Sequence, residues 1–419
     1  MSRVGTQIEL YVDGVAHGGW CVGRHDDQVV FVRHTLPGER VRVLVTEETK
    51  RFLRADAVEV LEASPDRVDA PCRFAGPGGC GGCDWQHASL EAQRRIKARV
   101  VTEQLRRIAG IERDVEVEEL PGHPDGLGWR TRVRYAVDDD GTAGFRRHRS
   151  HDIQPVDSCL IAHSGVDRIG VPEVSWPGIT EVEAVASTRT ADRAIIVTPR
   201  GARQPALPSL KESTAQLRRF RGGRTQQIRG RRGVREQVAG REWRVSAGGF
   251  WQVHPAAAET LTAAVLAALA PKPGETALDL YCGAGLFAGA LAEAVGPEGR
   301  VLGVEGQPEA VRDAQHNLRD LPQARVDRGD VASRLREWAD LRADIAVLDP
   351  PRAGAGTAVV ASLAALRPRA VAYVSCDPAT LARDLAAFAQ AGYGMVDLRA
   401  FDAFPMTHHV ECLAVLERG

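Results

Sequence analysis

The chain has 419 residues, of which 54 are Lys or Arg and 55 are Asp or Glu, so its formal net charge is −1. This balance excludes a protein that is strongly basic or strongly acidic overall, and the length is enough for two to four domains. The hydrophobic share of 44% is ordinary for a globular chain, no apolar run is long enough to cross a bilayer, and the N-terminus has no signal-peptide layout. We therefore expect a soluble, cytoplasmic protein without a membrane partner.

Residues 4–62 read as several short strands separated by glycines and by turn signals such as Leu36-Pro-Gly-Glu39. So many close-spaced strands in about sixty residues predict a small closed β-barrel, often of the oligonucleotide-binding type. A generic β-domain without a ligand fits the pattern equally well.

Residues 63–87 form a loop rich in Pro, Gly and Cys that contains Cys72, Cys80 and Cys83. Cys159 is the only other cysteine outside the barrel and the C-terminal region. In a cytosolic chain of this size, cysteines are better explained as metal ligands or catalytic groups than as disulfides. Four thiolates suit either zinc or a cubane iron–sulfur cluster, and their spacing does not separate the two; four ordinary thiols are the alternative.

Residues 88–109 have helical periodicity with basic residues on one side, and residues 115–245 contain further strand-like pieces. From Arg200 to Arg244 there are thirteen Lys or Arg and three Asp or Glu. A second basic cluster consists of Arg130, Arg132, Arg134, Arg146, Arg147 and Arg149. Such density attracts phosphates, although a solvated surface is the ordinary explanation of a charge run.

Residues 246–419 alternate between apolar strands and helices, which predicts a doubly wound parallel sheet. The predicted strands are 276–281, 300–304, 324–328, 343–348, 369–375, 393–400 and 409–416. The predicted helices are 286–295, 308–319, 331–341, 357–366 and 378–391. The last two strands have no helix between them, and this terminal strand pair distinguishes a seven-stranded methyltransferase-type sheet from a dinucleotide-binding fold.

Cys376 lies where the fifth of these strands ends and a helix begins, in Ser375-Cys-Asp-Pro378. Asp377 is a good helix cap and Pro378 a good first helical residue. A thiol at a helix N-terminus feels the positive end of the helix dipole, so we expect the thiolate to be favoured. A buried structural cysteine is the alternative for an isolated Cys, but the neighbouring motifs favour a nucleophile.

The turn after the first strand of this sheet, Asp279-Leu-Tyr-Cys-Gly-Ala-Gly285, is rich in glycine. Residue 288 is Ala, so the full Gly-x-Gly-x-x-Gly pattern of pyrophosphate cofactors is absent, and adenosylmethionine suits the turn better. Glu305 ends the second strand, where an acid can accept hydrogen bonds from both ribose hydroxyls of a nucleoside. Asp330 ends the third strand and is placed to meet the adenine.

Together these motifs resemble those of the RNA 5-methyluridine methyltransferases, in particular the iron–sulfur branch that acts on ribosomal RNA. The resemblance spans nearly the whole chain, and residues 1–62 look like the TRAM domain, the RNA-binding barrel of that family. The matching motifs are Phe250-Trp-Gln-Val-His254, Asp279 to Gly285, Leu348-Asp-Pro-Pro-Arg352, Ser375-Cys-Asp-Pro378 and Phe404-Pro-Met-Thr-His-His-Val-Glu411.

The resemblance implies three domains: a barrel over 1–62, a central iron–sulfur and β domain over 63–245, and a Rossmann-like methyltransferase domain over 246–419. It implies that Cys376 is the nucleophile and Glu411 the general base. The adenosylmethionine site would be lined by Gln252, Tyr281, Leu286, Glu305, Asp330 and Asp349. A [4Fe-4S] cluster would be held by Cys72, Cys80, Cys83 and Cys159. Two departures from the family are His254 and Leu286, each at a position where the family has Asn.

The chemistry explains why the family needs these residue types. Carbon 5 of uracil is a poor nucleophile until a thiolate adds at carbon 6 and makes an enolate. A base must then remove the carbon-5 proton so that elimination frees the enzyme. The base must leave its stack to reach Cys376, which implies flipped-out or single-stranded RNA. The resemblance to the iron–sulfur branch implies ribosomal RNA more than transfer RNA. A cytosine-directed enzyme and a non-catalytic iron–sulfur RNA-binding protein are the alternatives.

Overall fold

The computed structural model describes residues 2–201, 204–220 and 222–419. Arg203 and Arg221, two of the basic residues counted between Arg200 and Arg244, lie outside the described residues. None of the described helices combines the length and the apolar character that a membrane span requires.

The first five strands close into a barrel in the order β1-β2-β3-β5-β4. Their bounds are Gln7–Ala16 (β1), Trp20–His25 (β2), Gln28–Arg33 (β3), Arg40–Glu48 (β4) and Phe52–Glu62 (β5). Alternate residues such as Val12, Val30, Val43 and Leu53 are fully buried inside it, because successive side chains of a strand point to opposite faces. The predicted closed barrel is confirmed.

Helix α1 (Leu90–Gln104) follows the cysteine-rich loop and begins at Ser89, whose hydroxyl accepts a hydrogen bond from the Ala92 N–H at 3.2 Å. A π-helical turn, Leu105–Ala109, continues it to Gly110, which has φ +67°. The helix is amphipathic, but its buried face includes two polar side chains, Gln93 and Lys97.

A seven-stranded sheet fills much of the central region, with the order β13-β12-β11-β10-β7-β8-β9. The elements of this region are β6 (Val117–Glu119), β7 (Arg132–Val137), β8 (Ala143–Arg146), β9 (Ile153–Pro155), α2 (Ser164–Asp167), a 3₁₀ turn (Val171–Glu173), β10 (Ile179–Ala186), β11 (Arg193–Pro199), β12 (Ala215–Arg219), β13 (Thr225–Arg229), β14 (Gly233–Val238) and β15 (Arg241–Ser246). Strands β14 and β15 form a separate hairpin.

The C-terminal region has the predicted alternation. Its elements are α3 (Ala257–Leu269), β16 (Thr276–Leu280), α4 (Leu286–Val295), β17 (Arg300–Glu305), α5 (Pro308–Asn317), β18 (Ala324–Arg328), α6 (Val331–Glu337), β19 (Ile345–Leu348), α7 (Thr357–Ala365), β20 (Ala370–Ser375), α8 (Pro378–Gln390), β21 (Tyr393–Asp402) and β22 (Glu411–Arg418). The strand order is β18-β17-β16-β19-β20-β22-β21-β6. Only β22 runs antiparallel to its neighbours.

The sheet therefore has eight strands where the sequence predicts seven. The additional strand is β6, which comes from the central region and pairs in parallel with β21. Three residues are too few to show a strand period, so periodicity could not identify it. Two large hydrophobic clusters cover the two faces of the sheet, which explains the uninterrupted burial of β20.

Candidate active site

Cys376 and Glu411 come together at one end of an antiparallel strand pair. In the register of β20 and β22, Ser375 is opposite Cys412, so the next residues outward are Cys376 and Glu411. Cys376 is half-buried, whereas the side chain of Glu411 is almost wholly buried, with 3% exposed. A thiol and a carboxyl far apart in sequence thus become neighbours at the carboxyl edge of the sheet.

Helix α8 begins immediately after Cys376, as the sequence predicts. Oδ1 of Asp377 accepts hydrogen bonds from the N–H groups of Ala379 at 3.1 Å and Thr380 at 2.9 Å, and Pro378 is the first helical residue. The structure disfavours the expected thiolate in the free protein, because burial raises the pKa of Cys376 to about 12, with a further contribution from the charge of Glu411. Desolvation and nearby negative charge outweigh the helix dipole at this position.

Two carboxyl groups lie beside the thiol, of which Glu411 is buried and Asp349 half-buried. Burial raises the pKa of Asp349 to about 7, and burial together with the charge of Asp349 raises the pKa of Glu411 well above its usual range. Two neighbouring carboxylates in a desolvated site cannot both ionise without a large cost, so the pair retains a proton near neutral pH. The positive charge of Arg352 lowers the pKa of Glu411 and so partly offsets these two effects.

Arg352 is held in place by the helix that follows the nucleophile. The Thr380 hydroxyl donates to the backbone oxygen of Arg352 at 3.1 Å, and Arg383 donates to the backbone oxygen of Ala353 at 2.8 Å. The Arg352 guanidinium donates to Nε2 of His409 at 3.1 Å. The motif that contains Asp349 and Arg352 is thus joined to the one that contains Glu411.

The glycine-rich turn after β16 has the geometry of a nucleoside-binding loop. Oε2 of Glu305 accepts from the Gly283 N–H at 3.1 Å, while Oε1 accepts from the Gln307 N–H at 2.6 Å. Tyr281 has φ +65°, which few residues other than glycine adopt and which marks a strained turn. At Gly285, with φ +88°, a Cβ atom would lie 3.2 Å from Leu318.

The remaining predicted cofactor residues differ in their surroundings. Asp330 caps α6 and accepts from the Ser333 N–H at 2.9 Å, and Leu286 opens α4 and packs on the core. Gln252 is buried and lines a small cavity with Glu236 and His254. Among the described residues, no hydrogen bond joins Gln252 to the other five predicted cofactor residues.

Sequence reasoning missed Asp279 as an individual site residue. Its side chain is completely buried, Oδ2 accepts from the Ala288 N–H at 2.7 Å, and Oδ1 has no partner within the described protein. Burial, with smaller contributions from Asp349 and Glu305, raises the pKa of Asp279 to about 8. An orphaned carboxyl oxygen next to the glycine-rich turn is available to a polar group of a ligand.

The structure explains the departure from the family at His254. Nδ1 of His254 accepts from the Ala256 N–H at 3.2 Å, just before α3 begins. The oxygen of an Asn side chain at this position could accept the same bond. The ring stacks on Trp129, and burial lowers its pKa to about 4, which keeps the imidazole neutral. At Leu286, by contrast, no polar side chain is available to the cofactor.

The four predicted metal-ligating cysteines, Cys72, Cys80, Cys83 and Cys159, line one cavity with an empty volume of about 340 Å³. The loop is packed tightly there, since a Cβ atom at Gly81 would lie 2.7 Å from the backbone N of His148. In the described parts of the chain, no three His, Cys, Asp or Glu side chains form a group that could hold a metal ion. The thiols therefore surround a space and do not meet at a single point.

The second basic cluster is structural only in part, because Arg134, Arg146 and Arg149 are exposed, and its interpretation as a phosphate-binding surface stays a prediction. Arg132 is buried and donates to the backbone oxygens of Ala247 at 3.0 Å and Gly249 at 2.7 Å. Arg134 pairs with Glu183. In the first cluster, Arg231 and Arg232 line a large open groove beside α5, with an empty volume of about 1290 Å³.

Sequence profiles match both ends of the chain. Residues 1–58 match the TRAM domain, and residues 330–419 match a profile described as tRNA (Uracil-5-)-methyltransferase. Residues 251–334 match the profile of Protein-L-isoaspartate(D-aspartate) O-methyltransferase, another methyltransferase. The predicted barrel type and methyltransferase domain are confirmed, and the match to a methyltransferase family supports adenosylmethionine as the methyl donor.

Whole-chain relatives agree with these profiles. A protein described as "Uncharacterized RNA methyltransferase" from Streptomyces coelicolor is 53% identical, covering 100% of this chain and 94% of the relative. One with the same description from Streptomyces avermitilis is 52% identical, covering 99% of each chain. The crystal structure of Pyrococcus abyssi tRNA (uracil-54, C5)-methyltransferase with S-adenosyl-L-homocysteine has the same fold, with a TM-score of 0.73 at 23% identity, covering 98% of this chain and 100% of that one. The chain belongs to the family of RNA methyltransferases with a TRAM domain and a tRNA (uracil-5-)-methyltransferase domain.

Proposed function

We propose that this chain methylates carbon 5 of a uridine in RNA through a covalent adduct between Cys376 and the uracil ring. The observation that carries the proposal is the register of β20 and β22, which makes Cys376 and Glu411 neighbours beside Asp349 and Arg352. A nucleophile and a base on the same edge of the sheet are what the reaction requires.

The residues act in a fixed order. The Cys376 sulfur attacks carbon 6 of uracil, and the electron pair of the 5,6 double bond becomes an enolate. Adenosylmethionine supplies an electrophilic methyl group on a sulfonium, which carbon 5 attacks. Glu411 then removes the proton from carbon 5, the double bond re-forms, and the sulfur leaves carbon 6 as a thiolate.

The electrostatics of the site constrain the order of these reaction steps. Burial raises the pKa of the Cys376 thiol, so its proton must pass to solvent before the sulfur attacks carbon 6 as a thiolate. Glu411 can act as a base only when ionised, and Arg352 is the positive charge that favours its ionised form. A bound uracil ring would exclude water from Cys376 and Glu411 and strengthen the electrostatic interaction between Arg352 and Glu411.

Ribosomal RNA is the proposed substrate, because the arrangement of the four cysteines resembles the iron–sulfur branch of the family. Transfer RNA is the alternative, and it is supported by the wording of the profile that matches residues 330–419 and by the Pyrococcus structure. The groove that Arg231 and Arg232 line is the described basic surface best suited to phosphates.

We also propose that Cys72, Cys80, Cys83 and Cys159 hold a [4Fe-4S] cluster. The support for this proposal is the resemblance of the four-cysteine pattern to the iron–sulfur branch of the family, and the four side chains line one shared cavity. The division into domains 1–62, 63–245 and 246–419 remains a prediction, and β6 pairs across its second boundary.

Labelled adenosylmethionine incubated with ribosomal and transfer RNA transcripts tests the proposal. We expect label in 5-methyluridine, and a denaturation-resistant adduct with 5-fluorouridine RNA. Cys376→Ala should abolish both, whereas Cys21→Ser, which changes a buried thiol of the barrel, should retain both. Label in 5-methylcytidine, or turnover by Cys376→Ala, would overturn the proposal.

A further inference from the structure

The loop between β21 and β22, residues 403–410, leads directly into Glu411 and is here called the catalytic loop. Met406, near its middle, is buried and has φ +68°. This left-handed conformation is unfavourable for a residue with a side chain, so surrounding contacts must maintain it.

The contacts that maintain it come from outside the catalytic sheet. The Met406 N–H donates to Oε1 of Gln93 at 2.7 Å. The Met406 carbonyl accepts from the N–H groups of Asp84 at 2.9 Å and Trp85 at 3.0 Å. Both sides of the residue are thus held by groups more than 300 positions away in the sequence.

Gln93 and Lys97 lie one turn apart on the buried face of α1, and together they hold the start of the loop. Nε2 of Gln93 donates to the backbone oxygens of Ala88 at 2.9 Å and Trp85 at 3.1 Å, which fixes its amide orientation. Nζ of Lys97 donates to Oδ1 of Asp402 at 2.6 Å and to the Phe404 backbone oxygen at 3.0 Å. Both side chains are almost completely buried.

The far end of the loop is fixed by Asp84. Its Oδ2 accepts from the His408 backbone N–H at 3.0 Å and from the His408 ring at 2.7 Å. The next residue, His409, accepts from Arg352. The loop is therefore anchored on both sides of Met406, and Glu411 follows two residues after His409.

We infer that Gln93 and Lys97 are positioning residues for the reaction: they fix the catalytic loop and thereby place the Glu411 carboxyl for removal of the carbon-5 proton. Neither touches Cys376, Arg352 or the glycine-rich turn through any hydrogen bond in the described parts of the chain. Loss of their contacts should therefore impair the proton-removal step more than formation of the adduct or methyl transfer. The inference rests on the proposed function, since it assigns Glu411 the role of base.

The test uses Gln93→Leu, which keeps the size of the side chain and removes its hydrogen bonds. Arg95→Gln is the matched control, because Arg95 lies on the exposed face of the same helix and pairs with Glu91 and Asp66. The double variant Lys97→Met/Asp402→Asn removes the second anchor without leaving a buried charge unpaired. The substrate is RNA with ordinary or 5-deuterated uridine.

For Gln93→Leu we expect a fall in turnover of tenfold or more, with single-turnover methyl transfer within about twofold of wild type. A denaturation-resistant adduct should accumulate on unmodified RNA, and the deuterium isotope effect on turnover should exceed that of wild type. Arg95→Gln should match wild type in all four measurements. The double variant should show the same pattern as Gln93→Leu, and wild-type behaviour of the double variant would overturn the inference for Lys97.

Two outcomes would overturn the inference. One is wild-type turnover in Gln93→Leu with an intact thermal unfolding profile. The other is an equal loss of methyl transfer and turnover with no change in the isotope effect, which would mean general disruption of the site. If wild type itself forms no 5-methyluridine, the proposed function fails, and that result is distinguishable from either outcome.

Discussion

The protonated state of Cys376 makes a quantitative prediction for its reaction with iodoacetamide in the free protein. With a pKa of about 12, only about 10⁻⁴ of the thiol is ionised near pH 8, compared with about a quarter for an ordinary thiol of pKa about 8.5. A more basic thiolate is intrinsically more nucleophilic, and a Brønsted coefficient of about 0.4–0.5 recovers about 1.6 orders of magnitude. We therefore expect alkylation about 50-fold slower than that of an ordinary exposed cysteine.

The pH profile is the sharper part of this prediction. The alkylation rate should rise about tenfold per pH unit up to about pH 11, because the ionised fraction rises in that proportion. Mass spectrometry of the peptide that contains Cys376, after timed labelling, separates it from the other seven cysteines. Glu411→Gln should speed alkylation only at pH values at which Glu411 is ionised in wild type, because the charge of Glu411 raises the pKa of the Cys376 thiol. A plateau below about pH 9 would refute the reasoning and restore the helix dipole as the dominant influence.

Three further predictions concern other groups of the site. Glu411→Gln should still methylate but release product slowly, so that a denaturation-resistant adduct accumulates on unmodified RNA; wild-type turnover would show that another group is the base. Cys80→Ser should lower the iron and sulfide content of anaerobically purified protein, which should be brown in wild type; one equivalent of zinc without iron would contradict the cluster. The Asp279 carboxyl has a pKa raised to about 8, so the folded state retains a proton that the unfolded state loses above about pH 4. The contribution of Asp279 to the free energy of unfolding therefore falls by about 1.4 kcal/mol for each unit of rising pH. Between about pH 5.5 and pH 7.5, Asp279→Asn should become more stable relative to wild type by about 2–3 kcal/mol. Unfolding of the ligand-free proteins measures this difference. A pH-independent difference would contradict it.

The C-terminal sheet could be predicted from the sequence because its signals are local. The central strands β19 and β20 are continuous apolar runs, and the helices that follow have start signals of their own. Helix α4 begins and ends at the predicted residues, and the cap at Asp377 was predicted from three adjacent residues. The residues at the carboxyl ends of β16 to β20 therefore share one edge, which is where the functional groups of such a sheet belong.

What could not be predicted depends on burial and on contacts between distant segments. The pKa of Cys376 is set by desolvation and by Glu411, which no local rule about helix ends includes. Arg132 looks like a phosphate ligand in the sequence, but it is a buried donor to backbone carbonyls. Spacing left zinc and iron–sulfur chemistry open, and the cavity that the four cysteines line does not separate the two.

The barrel also contributes directly to the catalytic edge, through the turn between β1 and β2. Nε2 of His17 in that turn lies 3.1 Å from Oδ2 of Asp377, the carboxyl next to the nucleophile. Burial alone would raise the pKa of Asp377, but hydrogen bonds from His17 and Thr380 hold it at about 2. Two residues on, a Cβ atom at Gly19, which has φ +81°, would lie 2.9 Å from the carboxyl group of Asp84, so the turn can approach this closely only as glycine.

Asp84 forms hydrogen bonds with both the barrel and the catalytic loop. It follows Cys83, accepts from Arg33 of the barrel at 3.4 Å, and holds His408 of the catalytic loop. Asp84 thus joins the cysteine loop, the barrel and the loop that precedes Glu411 through hydrogen bonds at one carboxylate. These contacts are a physical link between the N-terminal segments and the C-terminal sheet.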